Sequence, residues 1–401
     1  MQNKKSDTEA RVMPEIAIPR HIQTVLDTLK KAGHEAYIVG GCVRDSIMGK
    51  MPNDWDVCTS ANPQETKKCF PNHQTMDMGM KHGTIGVIFQ MKDSGCVDCC
   101  DTYYDVVEIT TYRIDGEYRD SRHPDEVRFT KEIEEDLARR DFTMNAIAYI
   151  PSDGYVDPYN GKADIESGII RTVGNPVKRF NEDVLRIMRG LRFAAQLGFE
   201  IEKETAEAMS QLADTVCRVS QERVQAELGK LISGSFVDSV MEKYGEILEK
   251  VVPGIRCVSV AHLPDIKTVR LAKLFPMETE YYMRNLRLDK KTIVEAAALA
   301  RLFAGEPPEN KIAVKRCIRA EGLETATLYM DALGRKSEID EIVEKGECCT
   351  VEQLDISGRD LIEMGIKDGR RIGETLERML DMVIEGKLEN ERGKLINGTD
   401  W

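Results

Sequence analysis

One stretch limits what this chain can be. An apolar run, Ala36-Tyr37-Ile38-Val39, leads straight into Gly40-Gly41, and two carboxylates, Asp54 and Asp56, follow. A short apolar run reads as a buried strand. Adjacent glycines at its end permit a tight turn that brings backbone N–H groups close to a ligand. The helix expected next would aim its positive end at the same place, which suits phosphate, and Arg44 adds a mobile charge. Taken alone, a glycine pair before a helix also fits a plain turn. The carboxylates narrow the choice. If Asp54-Trp55-Asp56 lies on a strand, the period of two puts both acids on one face. Such a pair repels itself unless a cation compensates. Oxygen ligands of this kind suit Mg²⁺, which also holds substrate phosphates. Glu108, in the β-branched run Val106 to Thr111, can add a third carboxylate and leave Ile109 facing the core. Together these are the parts of a two-metal nucleotidyl-transfer site. A DxD on its own also fits a polar strand end.

Periodicity organises the rest. Pro19 to Lys31 carries Ile22, Val25, Leu26 and Leu29 at helical spacing, and Gly33 ends it. Further strands are expected around Trp55 and Val57, at Thr84 to Phe89, and at Ala146 to Ile150. From about Glu182 helical patterns dominate: Val184 to Leu197, Lys203 to Leu212, Gln221 to Leu231, Ile266 to Leu274 and Lys290 to Leu302. Two later helices, Asp360 to Met364 and Ile372 to Ile384, show the same signature. An α+β catalytic head before roughly residue 150 and a mostly helical remainder are therefore expected. At 401 residues the chain exceeds what one core usually fills.

Composition excludes little more. The net charge of −13 argues against coating nucleic acid non-specifically, but a local basic groove could still hold one RNA. No apolar run approaches the roughly 20 residues a membrane span needs. The N-terminal stretch has no apolar segment of the secretory kind, so a cytoplasmic location is expected. Of eleven cysteines, only Cys96, Cys99 and Cys100 cluster, with Cys348 and Cys349 far behind. A structural zinc site needs two well-placed ligand pairs, so these read as free thiols.

The motifs have a dense likeness. GGCVRD at Gly40 to Asp45 with Asp54-Trp55-Asp56, KHGTIGV at Lys81 to Val87, and RRDFTMNAIAY at Arg139 to Tyr149 resemble the class II tRNA nucleotidyltransferase and bacterial poly(A) polymerase family. So do DPYNGKADIESGIIR at Asp157 to Arg171, NEDVLRIMRGLRFAAQLGF at Asn181 to Phe199, and SQERVQAEL at Ser220 to Leu228. The likeness covers about the first 230 residues strongly, and a tail segment, Ser357 to Leu380, more weakly. It implies a polymerase β-like head with a mixed sheet over residues 1–150. An all-helical neck at 151–215, a body at 216–330 and a tail at 331–401 would follow, the last two holding RNA.

The resemblance also implies roles. Asp54 and Asp56 would hold magnesium, with Glu108 as a third catalytic carboxylate. Gly40, Gly41 and Arg44 would meet the triphosphate. Arg139, Arg140, Asp141 and Asn145 would hold ribose and phosphates, although an Arg-Arg-Asp run also fits a surface ion-pair cluster. Asp183 and Arg186, three apart on the expected helix, could read a base edge, a bidentate contact giving about 1–3 kcal/mol of discrimination. As a mere intrahelical pair they would give about 0.2–0.5 kcal/mol. Arg189 and Arg192 extend a basic stripe. His82 and His123 read as structural or RNA-contacting.

The implied reaction is template-independent addition of CCA to the 3′ end of tRNA from CTP and ATP. Thr111 to Leu137 resembles the head loop of enzymes that add the terminal adenosine. An A-adding specialist shares these motifs, whereas a poly(A) polymerase usually carries a longer basic extension. No His-Asp dipeptide marks a phosphohydrolase domain. A silent RNA-binding module has no use for clustered carboxylates, and an antibiotic-modifying transferase no use for the long helical half.

Overall fold

Ala36–Val39 is apolar on both faces, and the fold buries all four residues as the strand β1. In the computed structural model, which describes residues 15–92, 102–116 and 127–398, the chain divides after Ser220 into two compact units.

The first unit opens with α1 (Arg20–Lys31), whose Ile22, Val25, Leu26 and Leu29 are buried along one stripe. After β1 come α2 (Gly41–Ile47), β2 (Val57–Thr59) and α3 (Pro63–Cys69). Asn62 and Glu65 form a capping box at the start of α3, with Pro63 in its first turn. β3 (Thr75–Asp77), β4 (Thr84–Lys92), β5 (Thr102–Thr111) and the hairpin β6 (Arg113–Asp115) and β7 (Val127–Phe129) follow. Then come α4 (Ile133–Ala138), β8 (Ala148–Ile150) and β9 (Gly154–Val156). The unit closes with α5 (Gly161–Ser167), β10 (Ile169–Ile170), α6 (Pro176–Glu182), α7 (Leu185–Leu197), β11 (Glu200–Ile201) and α8 (Lys203–Leu212).

Among the described residues a seven-stranded mixed sheet runs β3-β4-β5-β2-β1-β8-β9. β2 and β5 are parallel, with Val57 beside Ile109, and the other neighbours are antiparallel. Ile85, Val87, Phe89, Val107 and Ile109 point from β4 and β5 into the core. Alternate residues face the opposite side, so Glu108 is exposed while Ile109 is buried.

Three local expectations change. The stretch 151–215, expected to be all-helical, adds β9 to the head's sheet beside β8 and carries the parallel pair β10 and β11. The strand expected around Trp55 begins only at Val57, so Asp54-Trp55-Asp56 leads into β2 instead of lying within it. The helix expected to carry both Asp183 and Arg186 is broken. Asp183 has extended backbone (φ −142°, ψ 102°) between α6 and α7, and its Oδ1 accepts the Leu185 N–H at 3.1 Å. A short acid that satisfies a free N–H at a helix start is the physical reason for the break.

The second unit is helical among its described residues, from Gln221–Ile232 to Arg392–Asn397. At its C-terminal end Leu354, Leu361, Met379, Leu380, Ile384 and Leu395 form a buried cluster. Arg319 pairs with Asp381 at 2.6 Å and also with Glu377, tying Lys311–Glu321 to Gly369–Ile384. No described helix is long and apolar enough to cross a membrane. Cys96, Cys99, Cys100 and His123 lie outside the described residues. Cys348 and Cys349 are buried and donate to the backbone carbonyls of Thr350 and Glu347.

Candidate active site

The turn after β1 is built for close approach. Gly40 has φ +81°, and a Cβ there would stand 3.0 Å from Arg140 Nη1. A side chain is excluded twice, by the backbone angle and by the guanidinium. The Gly40 N–H donates to Ile147 O at 3.1 Å, which ties the turn to the segment before β8. Gly41 opens α2, and a Cβ on it would meet Arg44 Nη2 at 3.8 Å.

From that turn a bonded chain runs inward. Arg44 Nη1 donates to Asn145 Oδ1 at 2.8 Å, and Asn145 Nδ2 donates to Asp141 Oδ1 at 3.2 Å. Asp141 also accepts the Phe142 N–H at 2.8 Å and Arg189 Nε at 2.8 Å. Burial alone would raise the Asp141 carboxyl, but Arg189, then Arg186 and Asn145, hold it far below the usual carboxylate range. The Phe193 ring lies under Arg44, Arg189 and Arg192, with guanidinium carbons 5.1, 5.5 and 3.9 Å from its centroid. Arg192 also donates to Gln196. Of these, Phe193 went unmarked in the sequence, since an aromatic on an amphipathic helix reads as core.

Arg139 and Arg140 share one anchor. Asp136, wholly buried in α4, accepts from Arg139 Nε and Nη2 at 3.0 and 2.8 Å, from Arg140 Nη2 at 3.2 Å, and from the Arg113 N–H at 3.3 Å. Its burial would raise it, yet the two arginines keep it below its ordinary value. In the sequence Asp136 is inconspicuous, one acid among Glu132, Glu134 and Glu135. The signal was its position: with Ile133 and Leu137 it shares the buried stripe of α4.

Arg186 is buried at the start of α7. Its Nη1 donates to Arg179 O and Glu182 Oε2 at 3.0 and 2.9 Å, and its Nη2 to Arg139 O at 2.9 Å. Asp183 and Arg186 thus belong to one turn, joined by the Arg186 N–H to Asp183 O bond of 3.0 Å.

The acids of the other flank are open. Register sets Val57 beside Ile109, which places Asp56 next to Glu108 across the parallel pair. Asp54, Trp55, Asp56 and Glu108 line a cleft of about 90 Å³. Partial desolvation raises the Asp56 carboxyl, Arg140 draws it down and Asp54 adds to the rise. Glu108 is raised by desolvation and then by Asp56 and Asp54. Among the described residues no three His, Cys, Asp or Glu side chains form a ready-made metal cage. Two or three converging carboxylates suit a cation that keeps waters and takes substrate phosphates as its remaining ligands.

Residues 36–171 match the Poly A polymerase head domain, and residues 271–398 match tRNA nucleotidyltransferase domain 2. Residues 198–255 match the family described as "Probable RNA and SrmB- binding site of polymerase A". The CCA-adding enzyme of Bacillus velezensis is 34% identical over 92% of this chain and 94% of its own length. That of Geobacillus stearothermophilus is 33% identical over the same shares. In three dimensions the chain resembles the Bacillus stearothermophilus CCA-adding enzyme in complex with CTP, with a TM-score of 0.75 and 29% identity. That likeness covers 95% of this chain and 98% of the other.

Proposed function

Since the chain belongs to the CCA-adding enzyme family, we propose that it builds the 3′-terminal CCA of tRNA from CTP and ATP without a nucleic-acid template. One observation carries the reading: the sheet sets Asp56 beside Glu108, while Gly40, Arg44 and Arg140 gather on the other flank of Asp56. Acids for a cation and donors for a triphosphate thus meet along one edge.

In this reading Asp54, Asp56 and Glu108 hold divalent cations, and magnesium is the ion their oxygen donors suit. When bound, such an ion makes a nearby hydroxyl a better nucleophile and offsets charge on the phosphates. The residues themselves supply position. The Gly40-Gly41 turn and Arg44 receive the triphosphate. Arg139 and Arg140, aimed by Asp136, cover its remaining oxygens. Asp141 and Asn145 take the ribose hydroxyls, and Asp183 with Arg186 faces the base edge. Arg189 and Arg192 brace this wall through Asp141 and Phe193. The RNA 3′-oxygen bonds to the α-phosphorus, its proton leaves to solvent, and the bond to pyrophosphate breaks. The division into head (1–150), neck (151–215), body (216–330) and tail (331–401) is kept as the working plan, with the helical parts holding tRNA in the cytoplasm.

The test supplies purified protein, Mg²⁺ and tRNA transcripts ending before CCA or after CC, with CTP, ATP or both. The expected product on the first transcript is CCA and nothing longer. A single A added only after CC identifies the A-adding specialist, and long A tails identify a poly(A) polymerase. RNA bound without extension overturns the enzyme reading.

A further inference from the structure

In-line displacement puts the attacking hydroxyl and the departing pyrophosphate on opposite sides of the phosphorus. Strand order then assigns the sides. Gly40, Arg44 and Asn145 lie toward β1 and β8, so the pyrophosphate is held there. The RNA end must come from the other direction, across β5, β4 and β3.

On that side the sheet has an open apolar face. Register sets Glu108 opposite Gly86, Gly86 opposite Met76, and Val106 opposite Ile88, all on the Glu108 face. Met76, Met78 and Val106 are 45, 43 and 38% exposed, although the reverse face of β4 and β5 is core. A Cβ on Gly86 would stand 2.7 Å from Met78 Sδ and 2.9 Å from Val106 Cγ1. The absent side chain is thus replaced by a thioether and a methyl that meet beside Glu108. Met78 is fixed from its own turn: Asp77 Oδ1 accepts the Gly79 and Met80 N–H groups at 3.0 and 2.7 Å.

We propose that this shelf, Met78 and Val106 closed over Gly86, seats the base of the RNA's 3′-terminal nucleoside and so positions its 3′-hydroxyl beside Glu108. The inference rests on the nucleotidyl-transfer reading above and adds where the primer end sits. The chemistry of the shelf fits the task. The terminal base changes with each added nucleotide, so its seat must not read hydrogen bonds. Met76, Met78 and Val106 offer no N–H or O–H donor, Thr84 and Thr110 next to Glu108 bond each other at 3.1 Å, and the Tyr104 hydroxyl lies beyond Val106 on the side away from Glu108. A thioether adapts its shape to differing rings.

The experiment measures single-turnover ATP addition to a saturating CC-ended transcript and to the same transcript with an abasic 3′-terminal nucleotide. Wild-type protein should slow about 10- to 100-fold on the abasic end, as expected when a reacting atom loses its positioning contact. The double variant Met78→Ala/Val106→Ala should slow by a similar factor on the normal end and lose little more on the abasic one, the signature of a shared contact. ATP binding and melting temperature should hold, and Met78→Leu should recover most of the rate. Wild-type rates in the double variant overturn the shelf, as do two losses that multiply. A wild-type protein that extends no transcript overturns the nucleotidyl-transfer reading itself, and the shelf with it.

Discussion

Asp141 and Asp56 belong to one head, and their surroundings push them in opposite directions. Asp141 is closed in by the Phe142 N–H, Asn145 and Arg189, and its carboxyl is held down. Asp56 is pushed up by desolvation and then by Asp54, against the pull of Arg140, and Glu108 beside it is pushed up by desolvation and by both acids. The wall proposed to hold the nucleotide is bonded within itself. The carboxylate row is left in mutual repulsion, a state that a divalent cation relieves. Rigidity is placed where shape must discriminate, and unspent charge where the reaction needs a cation. Arg140 joins the two, bonded to Asp136 on one side and drawn electrostatically to Asp56 on the other.

The contrast predicts its largest effect at the row. Asp56→Ala should cut nucleotide addition by at least about 10²–10³-fold, the scale seen when one charge-stabilising group is removed from a reacting centre. Its melting temperature should hold or rise in metal-free buffer, because a repelled acid has gone. Rates on a CC-ended transcript and a thermal melt read both quantities. A stability loss comparable to that of a wall variant would erase the distinction between the regions.

The wall should behave in the reverse sense. Asp141→Asn leaves the partly exposed Arg189 facing an uncharged partner and should lose about 1.5–3 kcal/mol of unfolding free energy, the scale of a hydrogen bond to a charged group. The sign with pH follows from the lowered carboxyl. Its stabilisation is complete above the unfolded value of about 3.9 and is lost as pH falls toward the lower native one. Urea unfolding should therefore show a constant gap between wild type and variant from about pH 5 to 7. That gap should narrow below about pH 4. A gap that stays constant into acid would mean the charge of Asp141 contributes nothing.

The two regions were also unequally legible. β1 and the glycine turn could be read because each depends on neighbours in sequence, an apolar run and a tight turn, whereas the strand alternation expected of Asp54 and Asp56 gave way to a lead-in before β2. The core helices were readable for the same reason, and Lys203–Leu212 appears where its periodicity puts it. The wall depends on burial, which is decided by distant segments. Asp136 looked like one more solvated acid until α4 turned it inward with Ile133 and Leu137. Arg186 looked like a base reader on a continuous helix. Its bonds to the Arg139 and Arg179 carbonyls show that it clamps the chain on either side. The break at Asp183 had a local sign, a short acid before an apolar periodic run, which the continuous-helix reading overrode.

The smallest predicted effect tests whether wall and row are separable at all. Phe193 touches no carboxylate of the row, yet its ring underlies three guanidiniums and meets Phe142 edge-on at 5.9 Å. Phe193→Leu keeps the apolar volume roughly filled and removes the π-face, each such contact contributing about 0.5–1 kcal/mol at exposed sites. Stability should fall by about 1–2 kcal/mol. Nucleotide affinity should weaken several-fold, as Arg44 and Arg189 lose the surface that orients them. The divalent-cation titration of activity should keep its midpoint, since no row contact changes. If that midpoint moved in step with nucleotide affinity, the bonded wall and the open row would have to be treated as one coupled unit, with Arg140 as the link.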